Sequence, residues 1–511
     1  MQKLTLALIH FHILHKEPRK NRRQLLKMID EAALRGAKLI VAPELATSGY
    51  TFKSRRDMLP YAETRFGPTL CALADAAKAR EVYICCGMAE KDPETGILYN
   101  SAFVLEPSGK LACRYRKITA EGRWACAGDP GQDNTFETPW GRVGVLICSD
   151  TYHSLMSRAT ALRGADLLLC PSNWPPTGID PRELWRARAL ENGFYVAACN
   201  RTGVDLSMDC RHAASCVCDP SGSLLFEKIH PDSATLMADL PLTDTHRMDG
   251  RARRSRMAER LTEHCLDCCL NLESIRDLTH FLDLPQPGPL PINCVSLQKT
   301  ESPADALDRS LLEGGVTPEG LYLFPDLAGT EKELDKMACI VRERTAAGQS
   351  VGVLAFCRKE DKRQIYAFIN SDGPAWLELP AGPLTADIQL PCIEFGSARF
   401  TVIPVNALAH PELILAQAKK GCDLAVVFAQ RMSDKLGRLA GARTIDNMAI
   451  AVCTKAETNL WMPPEGHKRW EMLSTCPKDG GRILLDTRKT RQKRFHDRVD
   501  FDCLFGVPLK E

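Results

Sequence analysis

The 511-residue chain has almost no excess of either charge: 66 Lys and Arg stand against 64 Asp and Glu, a net charge of +2. Nothing in that balance points to nucleic acid or a membrane surface as a partner. A long apolar run is also missing. The stretch from Met1 to His10 holds one lysine and a short apolar segment. It reads as a first core strand, with no export signal and no spanning helix. A cytoplasmic location is therefore expected, with the 22 cysteines as reduced thiols rather than a disulfide framework. No complete metal motif occurs either. Cys265-Leu266-Asp267-Cys268-Cys269, after His264, looks like half of one. No second Cys-x-x-Cys or paired histidine follows at finger-like spacing, and at helical spacing the run reads as a buried face. The second half of the chain has no ATP-binding glycine loop. No metal and no cofactor is expected.

What is present is ordinary globular composition, 44% apolar and 25% charged, over a length that suits two or more domains. One run carries more information than the rest: Gly144-Val145-Leu146-Ile147-Cys148-Ser149-Asp150. It reads as a strand that ends in a thiol. Most cysteines pack as small apolar residues, so Cys148 gains meaning only from its upstream partners. Glu44 ends the strand-like Lys38-Leu39-Ile40-Val41-Ala42-Pro43, and Lys117 follows the strand-like 101–105. An acid, a base and a thiol thus each close a strand, at the sheet edge where open α/β sheets bind ligands. The chemistry needs these types. A carboxylate takes the thiol proton and later returns it to a leaving amine. A fixed ammonium and the backbone N–H after the nucleophile steady a developing oxyanion.

Ala42-Pro43-Glu44 with Gly49-Tyr50, Tyr115-Arg116-Lys117 and Cys148-Ser149-Asp150 resemble the nitrilase superfamily of carbon–nitrogen hydrolases, with its Glu–Lys–Cys triad. Arg158, Gly164-Ala165-Asp166, Ala187-Arg188-Ala189-Leu190-Glu191-Asn192 and Asp219-Pro220-Ser221-Gly222 extend the match in order and spacing over about residues 1–260. The resemblance implies an α/β fold, a four-layer αββα sandwich. It also implies Glu44 as general base, Lys117 as oxyanion cation and Cys148 as nucleophile. Glu121 is the candidate for the family's second glutamate, against the alternative of a solvated loop acid. Tyr50, Trp124, Asn173 and Trp174 are candidate substrate-binding residues. A helix starting close behind Cys148 is expected to lower the thiol pKa.

The second half echoes the first. Residues 397–430 repeat the pattern of 140–173 at an offset of 257, pairing Gly164-Ala165-Asp166-Leu167 with Gly421-Cys422-Asp423-Leu424. Ala187-Arg188 and Asn192 match Ala442-Arg443 and Asn447, and Val41-Ala42-Pro43-Glu44 matches Leu323-Phe324-Pro325-Asp326. Two tandem domains and a connector are expected: a catalytic hydrolase domain over 1–263, a helical and proline-rich connector over 264–291, and a nitrilase-like domain without the triad over 292–511. In that second copy Val405 takes the place of Cys148, Asp326 that of Glu44, and 377–382 holds no lysine. Cys392 and Cys422 are packing thiols or, alternatively, displaced nucleophiles. The inert copy is expected to pair with the first as an intramolecular pseudo-dimer, with a further homo-oligomer open. The arginine runs at 251–260 and 488–494 read as structural tails common to both copies rather than a nucleic-acid patch.

After Cys148 the Pro-Glu step usual in the family is missing, although His410-Pro411-Glu412 keeps it. His153 is either a pocket or an ordinary loop histidine. Cys148-Ser149-Asp150 is similar to amidase branches rather than to true nitrilases. The expected reaction is hydrolysis of an amide or N-carbamoyl bond in a small molecule, with water as second reactant, through a Cys148 thioester. A nitrile hydrolase, an N-acyltransferase and a non-enzymatic binding pseudoenzyme are the alternatives.

Overall fold

The computed structural model describes residues 2–505 other than 177, 261–264, 266–277, 299, 314–318, 328–330, 359–363, 380–389, 465–471, 478–480, 492, 494 and 496–497. The chain forms two compact units, Met1–Ala258 with Arg498–Glu511, and Glu259–Asp497.

The first unit has two six-stranded sheets. One contains β1 (Lys3–His10), β2 (Leu39–Val41), β3 (Tyr83–Lys91), β4 (Leu98–Leu105) and β5 (Leu111–Arg116). The other contains β6 (Thr135–Thr138), β7 (Gly141–Val145), β8 (Leu167–Ser172) and β9 (Tyr195–Asn200). A small hairpin, β10 (Val204–Asp205) and β11 (Met208–Asp209), precedes β12 (Ala214–Cys218) and β13 (Leu224–Ile229), which complete the second sheet. Strand β14 (Ala234–Pro241) returns to the first sheet beside β1. In each sheet three central strands run parallel and the outer pairings are antiparallel. Helices cover the outer faces. Helix α1 (Pro18–Leu34) opens on Pro18, whose missing N–H costs nothing there. It turns Leu25, Met28, Ile29 and Ala32 onto Ile9, Ile40 and Ile84 of the first sheet. After the short α2 (Arg55–Met58), α3 (Pro68–Arg80) joins the same face through Leu70, Leu73 and Ala77. Helices α4 (Ser154–Leu162) and α5 (Pro181–Asn192) cover the second sheet, α5 capped by Asp180 and closed by Gly193 at φ 68°. Helix α6 (Arg251–Ala258) takes up the first arginine run, and Arg253 Nε donates to Asp166 Oδ1 at 3.1 Å.

The second unit repeats this strand order. Its sheets are β15 (Pro289–Cys294), β16 (Gly320–Leu327), β17 (Val351–Arg358), β18 (Gln364–Asn370) and β19 (Gly373–Glu378), and β20 (Ile393–Phe395), β21 (Ala398–Val402), β22 (Leu424–Phe428), β23 (Ala449–Cys453), β24 (Glu457–Trp461) and β25 (Met472–Pro477). Strand β26 (Gly481–Asp486) closes the first of them beside β15, as β14 does beside β1. The orders β26-β15-β16-β17-β18-β19 and β14-β1-β2-β3-β4-β5 match strand for strand and direction for direction. Helices Pro303–Glu313 and Glu331–Ala346 belong to this unit. Arg491 Nε donates to Asp423 Oδ1 at 2.7 Å. Asp166 and Asp423 are the equivalent positions of the repeat, so each arginine run supplies the same structural tie. Strand β15 starts at Pro289, inside the stretch read as connector. Much of the expected connector, with Cys268 and Cys269, lies outside the described residues, and Cys265 is buried.

Among the described residues no helix is long and apolar enough to cross a membrane. Among them, too, no group of three or more His, Cys, Asp and Glu side chains is arranged to hold a metal ion.

Candidate active site

Three strand ends meet in the first unit. Past β2 the chain turns at Pro43-Glu44-Leu45, with Leu45 at φ 48°. The Glu44 backbone lies so close to β3 that a Cβ on Gly87 would stand 2.5 Å from Glu44 Cα. Past β5 comes Lys117, and past β7 comes Cys148, which begins a 3-10 turn, Cys148–Tyr152, at φ 46°. That conformation is costly for a residue with a side chain, and such strain persists only where the surroundings fix it. Thr151 Oγ1 donates to the Cys148 carbonyl at 2.7 Å, and Arg188 Nε donates to that of Thr151 at 2.7 Å. These contacts hold the turn without the Pro-Glu step.

Glu44, Lys117 and Cys148 are 0%, 1% and 6% exposed. Lys117 Nζ donates to Glu44 Oε1 at 2.7 Å and to Glu121 Oε1 at 2.5 Å. Asn100, on β4, donates Nδ2 to Glu44 Oε1 at 2.7 Å and to Glu121 Oε2 at 2.9 Å. Asn173 donates its backbone N–H to Glu44 Oε2 at 3.0 Å and its Nδ2 to the Glu44 carbonyl at 2.7 Å. The Tyr50 hydroxyl donates to Glu121 Oε1 at 3.0 Å. The Asp150 carboxylate accepts from Tyr115 Oη at 2.8 Å, Thr119 N at 2.9 Å, Thr119 Oγ1 at 2.8 Å and Ile147 N at 3.1 Å. It ties the lysine loop to the thiol turn.

Electrostatics follows from this burial. Desolvation raises the Glu44 pKa, and the Lys117 ammonium only partly offsets it. Burial also works against the charge on Glu121, but Lys117 and Asn100 outweigh it and hold the carboxyl below its ordinary value. Burial alone would neutralise Lys117; its two carboxylate neighbours keep it charged, well above the ordinary lysine range. The Cys148 thiol is pushed far up, first by burial and then by the Glu44 carboxylate. The expected lowering by a following helix does not occur. Residues 148–152 form a 3-10 turn and α4 starts only at Ser154, and full burial beside an anion outweighs a helix terminus. The resting thiol is neutral, with a carboxylate beside it.

The structure brings Glu44, Lys117, Glu121, Tyr50 and Asn173 into one hydrogen-bonded network next to Cys148. Asn173 grips Glu44 through its backbone N–H and its Nδ2. Trp124 is buried in an apolar cluster with Leu45, Phe52 and Met58. Trp174 is half-buried at the end of β8, edge-on to Trp185 at 6.2 Å, and bonded to Asn200. Sequence reasoning missed Asn100 and the brace made by Asp150. A polar residue inside the apolar β4 pattern was the available signal for Asn100. Asp205 was missed too: it accepts from Tyr50 N at 3.0 Å and so fixes the Tyr50 loop.

The carbon-nitrogen hydrolase family profile matches residues 5–248. The "Nitrilase" of Pyrococcus abyssi is 38% identical over 190 residues, 37% of this chain and 71% of that protein. The human "Omega-amidase NIT2" is 31% identical over 256 residues, 47% of this chain and 90% of that protein. The crystal structure of Saccharomyces cerevisiae Nit3 superposes with a TM-score of 0.43 at 24% identity, covering 50% of this chain and 94% of that one. The chain belongs to the carbon–nitrogen hydrolases of the nitrilase superfamily, and is a hydrolase acting on C–N bonds.

Proposed function

We propose that the first unit hydrolyses a small-molecule amide or N-carbamoyl bond, with Glu44, Lys117 and Cys148 as its triad. The observation that carries this reading is the buried Lys117 shared by Glu44 and Glu121 beside a neutral Cys148 thiol. Glu44 takes the thiol proton as Sγ attacks the carbonyl carbon. Lys117 and the backbone N–H after Cys148 stabilise the oxyanion. The C–N bond breaks, Glu44 gives its proton to the leaving nitrogen, and a thioester remains. Glu44 then takes a proton from water, which attacks the thioester and releases a carboxylate and the thiol. Glu121 and Asn100 orient Lys117 and Glu44. The omega-amidases among the relatives favour an amide over a nitrile. Ammonia release across an amide, N-carbamoyl and nitrile panel tests this, with Cys148→Ala and Glu44→Gln as controls. Ammonia from nitriles but never from amides would overturn it.

We also infer that the second unit is a nitrilase-type domain without the chemistry. In strand register Gly87 corresponds to Phe356, Ala102 to Tyr366 and Pro171 to Phe428. Those three rings pack together, with centroids 5.3–6.0 Å apart. Lys117 corresponds to the buried Leu379 and Asp150 to Ala407, and Val405 begins the 3-10 turn that Cys148 begins in the first unit. The side chain of Asp326 lies outside the described residues. Aromatic and aliphatic carbon supports the reading of an occupied, inert site.

A further inference from the structure

The second unit holds two thiols in contact that the hydrolase chemistry does not use. Cys392 lies exposed just before β20, and Cys422 lies buried just before β22. Their sulfurs are 3.7 Å apart, and Cys392 Sγ also approaches Gln417 Oε1 at 3.6 Å. Thirty residues separate the two in sequence. Two features distinguish the pair from Cys216 and Cys218, which are both sealed within β12. One member faces solvent, and the other is shielded behind it. The surroundings of Cys392 are also cationic. Lys420 and Arg399 stabilise a thiolate there, Glu394 opposes it, and Lys493 donates to the Cys422 carbonyl at 2.7 Å.

We propose that Cys392 and Cys422 form a peroxide-oxidisable dithiol, with Cys392 as the attacking thiol and Cys422 as the resolving one. The Cys392 thiolate attacks one oxygen of a hydroperoxide. The O–O bond breaks, the departing oxygen takes a proton and leaves as water or an alcohol, and Cys392 becomes a sulfenic acid. The Cys422 sulfur then displaces that hydroxyl, its proton leaves with it as water, and an S–S bond forms. Two thiols are oxidised and one peroxide is reduced. Contact between the sulfurs means that closure needs little backbone movement. Contact with Cys422 and the neighbouring cations hold the Cys392 pKa at about 7, so a large share is thiolate at neutral pH. An ordinary exposed thiol near pKa 8.5 is only a few per cent ionised there. After allowance for its lower intrinsic nucleophilicity, Cys392 should alkylate about threefold faster at pH 7.

The test uses the full reduced chain, with one equivalent of hydrogen peroxide, blocking by N-ethylmaleimide and peptide mapping. The expected result is a Cys392–Cys422 cross-linked peptide, lost in Cys392→Ser. Cys422→Ser should instead leave a sulfenic acid on Cys392 that dimedone captures, and Cys422→Ala serves if the buried hydroxyl prevents folding. Exposed Cys71, Cys126 and Cys339 are the internal references. Cys148→Ala should still form the cross-link, which separates the dithiol from the hydrolase site. The proposal fails if peroxide oxidises the reference thiols before the pair, or if dimedone finds no adduct on Cys392 in either Cys422 variant.

Discussion

The two units share one strand order and differ at the place where three strand ends converge. In the first unit that place is polar and buried: a lysine, two glutamates and two asparagines are hydrogen-bonded to one another beside the Cys148 thiol. In the second unit Leu379 stands in the register of Lys117, and Phe356, Tyr366 and Phe428, in the register of Gly87, Ala102 and Pro171, pack into or against the core between the sheets. In the first unit the buried charges of Lys117, Glu44 and Glu121 are paired, as a buried ion must be. One strand order thus accommodates a polar and a largely apolar junction.

The largest expected effect is on the nucleophile. Cys148→Ala should lower kcat by about 10⁴-fold or more, as removal of a nucleophile does elsewhere, with the melting temperature close to that of the parent. Activity surviving this change would move the chemistry out of the first unit. Next comes Lys117→Met, which imitates the apolar solution of the second unit at one position only. It strands Glu44 and Glu121 without their cation and should cost about 3–5 kcal/mol, read by denaturant titration, together with loss of turnover. A stable Lys117→Met protein would mean that the carboxylates do not depend on the lysine.

Acid should switch the site off early. Glu44 must be ionised to take the thiol proton, and burial raises its pKa. The acid limb of kcat/KM should therefore fall at a higher pH than the value of about 4.3 for an unperturbed glutamate. Because Glu44, Lys117 and Glu121 titrate together, the midpoint belongs to the cluster. An acid limb at or below the ordinary value would remove Glu44 as the base. Gly87→Ala tests the close approach under Glu44. The added methyl meets backbone at 2.5 Å, and a loss of about 1–3 kcal/mol is expected, with kcat falling alongside. The smallest effect is expected from Val405→Cys, which puts a thiol at the turn of the second unit. Val405 is 41% exposed, so stability should change by about 0.5 kcal/mol or less. With Cys148→Ala as background, it should restore no ammonia release; any recovery would contradict an inert second unit.

Much of this was legible in the sequence because strand periodicity is local. The runs ending at Glu44, Lys117 and Cys148 and the repeat at offset 257 all depend on neighbours along the chain. Asn100 was not legible, since its two carboxylate partners lie 56 and 21 residues away. Nor was the direction of the thiol pKa, which depends on burial beside Glu44 rather than on the sequence that follows. The packing of Trp124 against Leu45, Phe52 and Met58 was not legible either, because those residues lie far from it along the chain.

By itself the sequence determined which residue types close which strands, and that one copy of the pattern carries a thiol where the other carries valine. Only the tertiary structure decided that Lys117 bridges two glutamates, that Asp150 ties the lysine loop to the thiol turn, and that Cys392 meets Cys422. Hydrophobic periodicity is written within about ten residues of chain. Charge pairing, desolvation and thiol contact depend on distances across the fold, and these exist only once the sheets have packed.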